Sequence, residues 1–509
     1  MTRALSACAV VLAIAVAGCG STTGSGPVDP ATLAPATTLA YASFELAPQG
    51  AEKQGFDAAF GKLLGADPER RLGEAFTNAV QTSGRLGYDA DVKPWLGETA
   101  TAIVTSIGNE RPDYALLVAS TDDDKARAAI DKDLADAHAA SRDYRGVAYK
   151  IMDDGTANGV VDHFLVAGTE AAFKSVVDTG KDGKSLAVSE QWKTSVGNRG
   201  DGKVGLGYVD VKGLLQSFAS KLPGAQRLAA PLLLGLVQIH PFVATLDANA
   251  DSLVADVSSP GTKPDPRGPG AASSPLIEGL PADSWAALAL PKVGQALGTL
   301  ATALKVSPLI GAQYERVVAQ VRANTGLDLE KDVFAAIGDV GVFARGSSPA
   351  TVGGALVVES PQPATLAKTV RRLPALIRGA GHAEVRVVGR GARGFDVTAA
   401  HAPKPVEVRV SGDGAVAAYG AAALRAARHP SGRLGGTPLF RAAAAAVGER
   451  PTFFLDFGPA LRLAAASPHH RNDKDFQRAL PHLQALEYLA VGARREGKLD
   501  VLRAALGLR

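Results

Sequence analysis

Cysteine is scarce in this sequence of 509 residues, which contains only Cys8 and Cys19. A framework of several disulfide bonds is therefore excluded. Cys8 lies in a segment that we expect to be removed, so the mature chain keeps one thiol. A single thiol is a liability in an oxidising compartment unless it is capped, and acylation would cap it.

Long apolar runs are missing as well. The longest run beyond the N-terminus, Leu228 to Val237, is about half of the roughly 20 residues that a membrane-spanning helix needs. Pro231 and Gly235 interrupt it, so the pattern predicts a short buried helix. The N-terminal run from Ala4 to Gly18, about 15 residues long, is also too short to span a membrane.

Neither sign of charge dominates the whole chain, which has 54 Lys and Arg against 51 Asp and Glu. An apolar fraction of 46% and a charged fraction of 21% are typical of globular protein rather than of disorder. The length exceeds what one hydrophobic core normally serves, which predicts two or more domains. We expect no nucleic-acid partner.

The N-terminus has the layout of a secretory signal, with Arg3 ahead of an apolar run and small residues at Val16-Ala17-Gly18. Because Cys19 follows directly, the segment resembles a bacterial lipobox. The resemblance implies that the signal peptidase recognises Val16, Ala17 and Gly18 and that Cys19 receives a diacylglyceryl group. Two acyl chains such as palmitate, at about 0.8 kcal/mol per buried methylene, hold a protein on a bilayer stably. We therefore predict a location on the outer face of the cytoplasmic membrane, with membrane contact through this lipid alone.

Two long segments of the chain repeat each other in order. The segment from Pro35 to Phe44 resembles Pro281 to Leu290, an offset of 246 (281 − 35). Five later pieces recur at nearly the same offset, which predicts two divergent copies of one domain. Among them, Trp192 corresponds to Phe440, Tyr208 to Phe454 and Asp210 to Asp456.

The repeats and the composition between them set the predicted boundaries. They are a signal peptide at 1–18, a flexible Gly/Ser/Thr/Pro tether at 19–32, a first repeat at 33–258, a Pro/Gly linker at 259–274 and a second repeat at 275–509.

Within the first copy, short strand patterns and helical patterns are mixed without strict alternation. Thr99 to Ile107 and Asp113 to Ala119 are separated by a short turn and predict an antiparallel hairpin. Thr121 or Asp122 is predicted to cap a helix that continues to about His138. Val160 to Ala167 is predicted to be one strand that leads into a helix at Thr169. This mixture favours an α+β fold with a mainly antiparallel sheet and packed helices.

Several motifs suggest ligands but have simpler structural explanations. Gly389 to Gly394 matches a dinucleotide-binding pattern, yet a strand pattern follows it where a helix is required, so we predict a hairpin turn. The segment from Thr179 to Ser185 ends like a phosphate-binding loop with wrong spacing, and we predict a polar loop. Asp122-Asp123-Asp124 favours helix capping over calcium binding. His163 and His240 lie beside apolar runs and are predicted to be near the core. We predict no catalytic, cofactor-binding or metal-binding residues and no cofactor.

Charge is divided unevenly between the two predicted halves. Residues 20–258 carry 22 Lys and Arg against 31 Asp and Glu, and residues 259–509 carry 31 against 20, which gives net charges of −9 and +11. Mutual attraction between the halves or sequence drift would explain the difference. Alternatively, the basic second domain binds an anionic envelope polymer, lipid head groups or a protein partner.

Taken together, the lipobox, the tether and the paired openings at Pro35 and Pro281 resemble a family of secreted lipoproteins from high-GC Gram-positive bacteria, catalogued as a domain of unknown function. The first copy shows the resemblance most clearly, from Gly159 to Asp162 and from Gly168 to Phe173. The family implies no reaction or ligand. Three hypotheses remain: a non-catalytic binding or scaffolding lipoprotein, a lipid or hydrophobic-ligand carrier, and an uncharacterised hydrolase.

Overall fold

The computed structural model describes residues 29–65, 67–108, 111–197, 199, 202–219, 239–261, 273–305, 311–379, 385–400, 402–448 and 450–509. The chain forms two compact units that divide between Thr262 and Lys263. Glu496–Leu502 and Leu508 group with the first unit, while the second keeps the rest of the distal chain. The predicted helix at Leu228 to Val237 lies outside the described residues.

The first unit is an antiparallel sheet with helices on both faces. Its strand order is β4-β5-β6-β7-β3-β2-β1-β8-β9-β10. The elements are β1 (Ala40–Glu45), α1 (Gly50–Leu64), α2 (Pro68–Val80), β2 (Leu96–Ile107), β3 (Pro112–Ser120), α3 (Asp123–Asp133), β4 (Ala139–Tyr144), β5 (Val147–Met152), β6 (Thr156–Val161), β7 (Phe164–Thr169), α4 (Glu170–Asp182), α5 (Glu190–Ser195), β8 (Gly205–Val209), α6 (Val211–Ala219), β9 (Phe242–Asn249) and β10 (Ser252–Pro260).

The second unit follows the same plan, and its strand order is β14-β15-β16-β17-β13-β12-β11-β18-β19. The elements after residue 273 are α7 (Leu276–Gly279), β11 (Ser284–Leu290), α8 (Val293–Lys305), α9 (Gly311–Thr325), β12 (Val340–Arg345), β13 (Gly353–Glu359), α10 (Pro363–Gly379), β14 (Val385–Gly389), β15 (Gly394–Ala399), β16 (Val406–Val410), β17 (Gly414–Tyr419), α11 (Ala421–Arg428), α12 (Pro438–Val447), β18 (Phe453–Asp456), α13 (Phe457–Ala466), α14 (Pro468–Arg471), α15 (Lys474–Leu483), β19 (Leu486–Glu496) and β20 (Leu499–Leu508). The predicted α+β class with a mainly antiparallel sheet is confirmed.

Strand order from β4 to β9 in the first unit equals that from β14 to β19 in the second. The paired positions from the sequence occupy similar packing sites. The rings of Trp192 and Tyr208 lie 5.3 Å apart, and the corresponding rings of Phe440 and Phe454 also lie 5.3 Å apart. Descent of the two units from one duplicated domain stays a prediction.

Two hydrophobic clusters lie on opposite faces of the first sheet because successive side chains of a strand point to opposite sides. Along β3, Ala115 and Leu117 enter the cluster that contains Phe173 of α4. Leu116 and Val118 enter the other cluster, beneath α1, α2 and α3. The described first unit is therefore a sheet between two helical layers.

Several local predictions are confirmed. β2 and β3 form the predicted hairpin. The side chain of Asp122 caps α3 by accepting a hydrogen bond from the backbone N–H of Lys125. The glycine-rich segment at Gly389 to Gly394 forms the turn between β14 and β15.

The predicted single strand from Val160 to Ala167 is wrong. Asp162 and His163 have φ angles of 43° and 65° and form a tight turn between β6 and β7. Two consecutive residues in this left-handed region reverse the chain within two residues. His163 lies in that turn with a largely exposed side chain that contacts the Asp123 carboxylate at 3.2 Å, so its predicted place near the core is also wrong.

Several predicted boundaries also need correction. The tether does not extend to Thr32, because Asp29 caps a 3-10 turn at Pro30–Thr32 and Ala31 is buried in the core. The predicted linker begins too early, since β10 continues to Pro260. α3 ends at Asp133 rather than near His138, and α4 continues to Asp182, inside the predicted polar loop.

Candidate functional site

The residues predicted from the sequence as a site, Val16, Ala17, Gly18 and Cys19, lie outside the described residues. In the described part of the chain, charged and polar side chains cluster at two surface features of the second unit. One is an open groove beside α8, and the other is the outer face of α10.

The groove has a volume of about 990 Å³. One wall is α8, which presents small and hydroxyl-bearing residues to the groove. The absence of a side chain at Gly294 lets the first turn of α8 lie against the turn at Phe334–Ala336. A Cβ at Gly294 would lie 1.9 Å from the carbonyl oxygen of Phe334. The charged residues that line the groove are Lys292, Glu330, Asp339, Glu359 and Asp413.

Carboxylates at the start of β12 and the end of β13 lie close together in this groove. Asp339 accepts hydrogen bonds from the Ser274 hydroxyl and, at 2.9 Å, from the backbone N–H of Lys292. Glu359 is exposed, but desolvation by the surrounding groove raises its pKa above the usual value, and the neighbouring carboxylates of Asp339 and Asp413 raise it further. Among the described residues, no three potential metal-ligating side chains group together.

Helix α10 follows β13 and packs one face on the sheet. Its apolar residues recur at helical spacing and form a small core with the strands beneath. They are Leu366, Val370, Leu373 and Ile377. Thr369 donates to the Asp332 carbonyl at 2.8 Å, which ties the helix to the preceding turn.

The opposite face of α10 is strongly basic. Helical spacing places Lys368, Arg371, Arg372 and Arg378 on this face, and the helix contains no acidic residue. Arg372 donates to the carbonyl of Gly326 at 2.7 Å. Lys368, Arg371 and Arg378 are exposed and make no ion pair with any carboxylate among the described residues. We call these four side chains the basic face of α10.

Two other arginines of the same unit are paired with carboxylates. Arg409 contacts Asp396 at 2.6 Å and Glu407 at 2.9 Å, and Arg390 also contacts Asp396 at 2.5 Å. These two arginines hold the pKa of Asp396 below its usual value, although its burial opposes them. Arg390 and Arg409 therefore differ from the exposed cations of α10, which have no such partners among the described residues.

The sequence shows the excess of positive charge in residues 259–509 but not where it lies on the surface. The basic face could have been found from the spacing of cations in the residues from Pro363 to Gly379. The groove had no such signal, because its lining comes from five separate segments.

A family model described as a protein of unknown function (DUF3352) matches residues 4–495. The chain belongs to this family. No curated protein matches. Two crystal forms, I and III, of the protein TP0453 are similar at 9% and 10% identity and cover 47% of this chain. They cover 80% and 83% of their own chains with a TM-score of 0.26, which is too low to carry an argument. Within the described ranges, no helix is both long and apolar enough to cross a membrane.

Proposed function

We propose that the protein is a non-catalytic, lipid-anchored component of the cell envelope that holds an anionic envelope polymer on the basic face of α10. The observation that carries the proposal is this set of four cations on a helix without a carboxylate. The sequence at Val16 to Cys19 supports attachment to the outer face of the cytoplasmic membrane through a lipid on Cys19.

The geometry of α10 suits a linear polyanion. Lys368 and Arg378 are ten positions apart (378 − 368), which corresponds to about 15 Å along a helix that rises 1.5 Å per residue. Charges clustered on one exposed face produce a focused field, whereas scattered charges do not. Because the side chains are exposed, the attraction is screened within about 8 Å at physiological ionic strength.

Co-sedimentation with purified anionic cell-wall polymer tests the proposal on the full chain. Replacing Lys368, Arg371 and Arg378 with Gln removes three cations but keeps Arg372, which holds the neighbouring turn. The matched control replaces Lys125, Arg127 and Lys132 of α3, all of which have carboxylate partners.

We expect the α10 variant to lose most of its binding at low salt and the α3 variant to keep it. Equal pelleting of both variants, or binding by the wild type that is indifferent to salt, would contradict the proposal. Vesicles with anionic lipid serve as a second arm. Binding to vesicles but not to the polymer would contradict the choice of partner.

The groove supports a second candidate, a hydrolase, through one observation. Glu359 lies beside two other carboxylates and has a raised pKa, and a carboxyl group with a raised pKa is a candidate general acid. A screen with chromogenic esters and glycosides should then show turnover that Glu359→Gln abolishes and that Glu315→Gln, on α9, leaves unchanged. Turnover that survives Glu359→Gln would exclude this role.

The remaining hypothesis, a lipid or hydrophobic-ligand carrier, is not favoured by the two cavities found among the described residues. It requires an apolar cavity of several hundred Å³. The groove is large enough, but four carboxylates line it. A half-enclosed pocket in the first unit measures about 50 Å³.

A further inference from the structure

The half-enclosed pocket of the first unit lies between the sheet and helices α2 and α3. Its floor is formed by Leu116 and Val118 of β3 with Leu165 and Ala167 of β7, and Asn158 of β6 completes it. Its roof comes from Phe76 and Val80 of α2, from Ala129 and Ile130 of α3, and from Leu134, which caps the C-terminus of α3. The lining is therefore almost entirely hydrocarbon.

Asn158 is the exception in this floor. It pairs with Ala167 across the sheet and lies on the same face as Val160, which belongs to the core. Its amide nitrogen is buried and has no hydrogen-bond partner among the described residues. Buried polar groups are nearly always paired, so an orphaned donor in an apolar pocket needs an explanation.

The other polar groups that line the pocket are already in use. Asp133 accepts from the backbone N–H groups of Thr82 and Ser83 at 2.8 and 2.9 Å. The side-chain Oε1 of Gln81 accepts from the Leu86 N–H at 2.8 Å, and the indole N–H of Trp95 donates to the backbone carbonyl of Asp91 at 2.7 Å. The Asn158 amide is thus the donor that remains for a ligand.

The second unit shows that the strand does not require a polar residue here. Val408 of β16 pairs with Ala417 of β17, as Asn158 pairs with Ala167, and it packs against the core beneath α10. A valine fits this register and leaves no buried amide. Packing alone therefore does not account for Asn158.

We propose that this pocket binds a small aliphatic ligand that carries a neutral hydrogen-bond acceptor, such as a short-chain ketone or ester. Its carbonyl oxygen accepts from the Asn158 amide, and its alkyl groups lie against the floor and roof. The Asp133 carboxylate at the lining disfavours an anionic ligand. A volume of about 50 Å³ holds about three or four water-sized groups, which limits the ligand to a few non-hydrogen atoms.

The test uses 2-butanone as the probe and the full chain labelled with ¹⁵N-asparagine. The side-chain amide signal of Asn158 is assigned by its absence in Asn158→Val. We expect this signal to shift saturably with 2-butanone while the signal of the exposed Asn78 does not move. Asn158→Val, which removes the orphaned amide, should raise the Tm of the ligand-free protein by about 2–4 °C.

A second variant tests the proposal independently if Asn158→Val does not fold. Ala129→Leu fills the roof without touching the amide donor, so the Asn158 signal should persist but no longer respond to 2-butanone. Xenon, which fills apolar space but accepts no hydrogen bond, should compete with 2-butanone. An Asn158 signal that does not move at saturating 2-butanone would overturn the proposal. A crystal soaked with 2-butanone that shows only an ordered water on the amide would do the same.

Discussion

The helix that follows the third strand of each unit has opposite charge in the two units. In the first unit, α3 carries four aspartates and three cations, and the cations are paired with carboxylates. In the second unit, α10 carries four cations and no carboxylate. Both helices cover their sheets with an apolar face. The apolar faces stabilise the same fold in both units. The outer faces do not contribute to this packing, so they can differ in function.

The first pair of helices differs just as clearly. In the first unit, α1 packs Phe56 into the core, where its ring lies 4.5 Å from that of Phe60 and 6.4 Å from that of Phe44 of β1. In the second unit, α8 and α9 leave Leu300 and Val317 each 54% exposed. Aromatic side chains close the first unit at this place, whereas the second unit has its groove beside α8.

The charge difference between α3 and α10 has its proposed role only if the protein is held at the envelope surface. The change with the largest expected effect is therefore the loss of Cys19. Cys19→Ser should move the protein from the membrane fraction to the medium or leave it with an uncleaved signal. Mass spectrometry of the mature N-terminus of the wild type checks the modification. An unmodified cysteine, or a different first residue, would disprove the anchor.

The contrast between the helix pairs predicts unequal losses of stability. Phe56→Ala should destabilise the first unit by about 3–5 kcal/mol, because it removes a fully buried ring and leaves a cavity. Leu300→Ala, at an exposed site on α8, should change stability by less than about 0.5 kcal/mol. Urea unfolding followed by the fluorescence of Trp95 and Trp192 measures the first change, and circular dichroism measures the second. Similar losses for both variants would remove the contrast.

A buried carboxyl at the end of β1 predicts that the stability of the first unit depends on pH. The corresponding strand of the second unit, β11, has no carboxyl group. Burial raises the pKa of Glu45, at the end of β1, to about 7, and the carboxylates of Glu52 and Glu98 add to the shift. The folded state binds this proton more tightly than the unfolded state, so stability falls as pH rises from about 4.5 to about 7.

Glu45→Gln should abolish this loss of stability at rising pH. In the wild type, the free energy of unfolding should fall by on the order of 3 kcal/mol over this range, at about 1.4 kcal/mol per pKa unit. Unfolding by urea at pH 4.5 and at pH 7.5, with wild type and variant compared, measures it. If the wild type and Glu45→Gln lose the same stability over this range, the carboxyl of Glu45 is not the cause.

Much of the architecture could be predicted from local sequence signals. The hairpin of β2 and β3, the Asp122 cap and the α+β class follow from alternation and capping chemistry. The turn at Asp162-His163 was missed because neither residue is glycine, the usual residue at positive φ. No sequence signal singles out Asn158. Its importance depends on which face it occupies, and the register of β6 decides that.

The salt dependence of polymer binding tests the difference between α3 and α10 most directly. Each cation that contacts a polyanion releases counterions, so the logarithm of the binding constant falls with the logarithm of the salt concentration in proportion to the number of contacts. For the wild type and the two triple variants, fluorescence titration with anionic cell-wall polymer across a range of salt concentrations gives this slope. The account predicts that the slope becomes shallower by about two to three in the variant of Lys368, Arg371 and Arg378 and stays unchanged in the variant of Lys125, Arg127 and Lys132. Equal slopes for all three proteins would show that α10 does not hold the polymer.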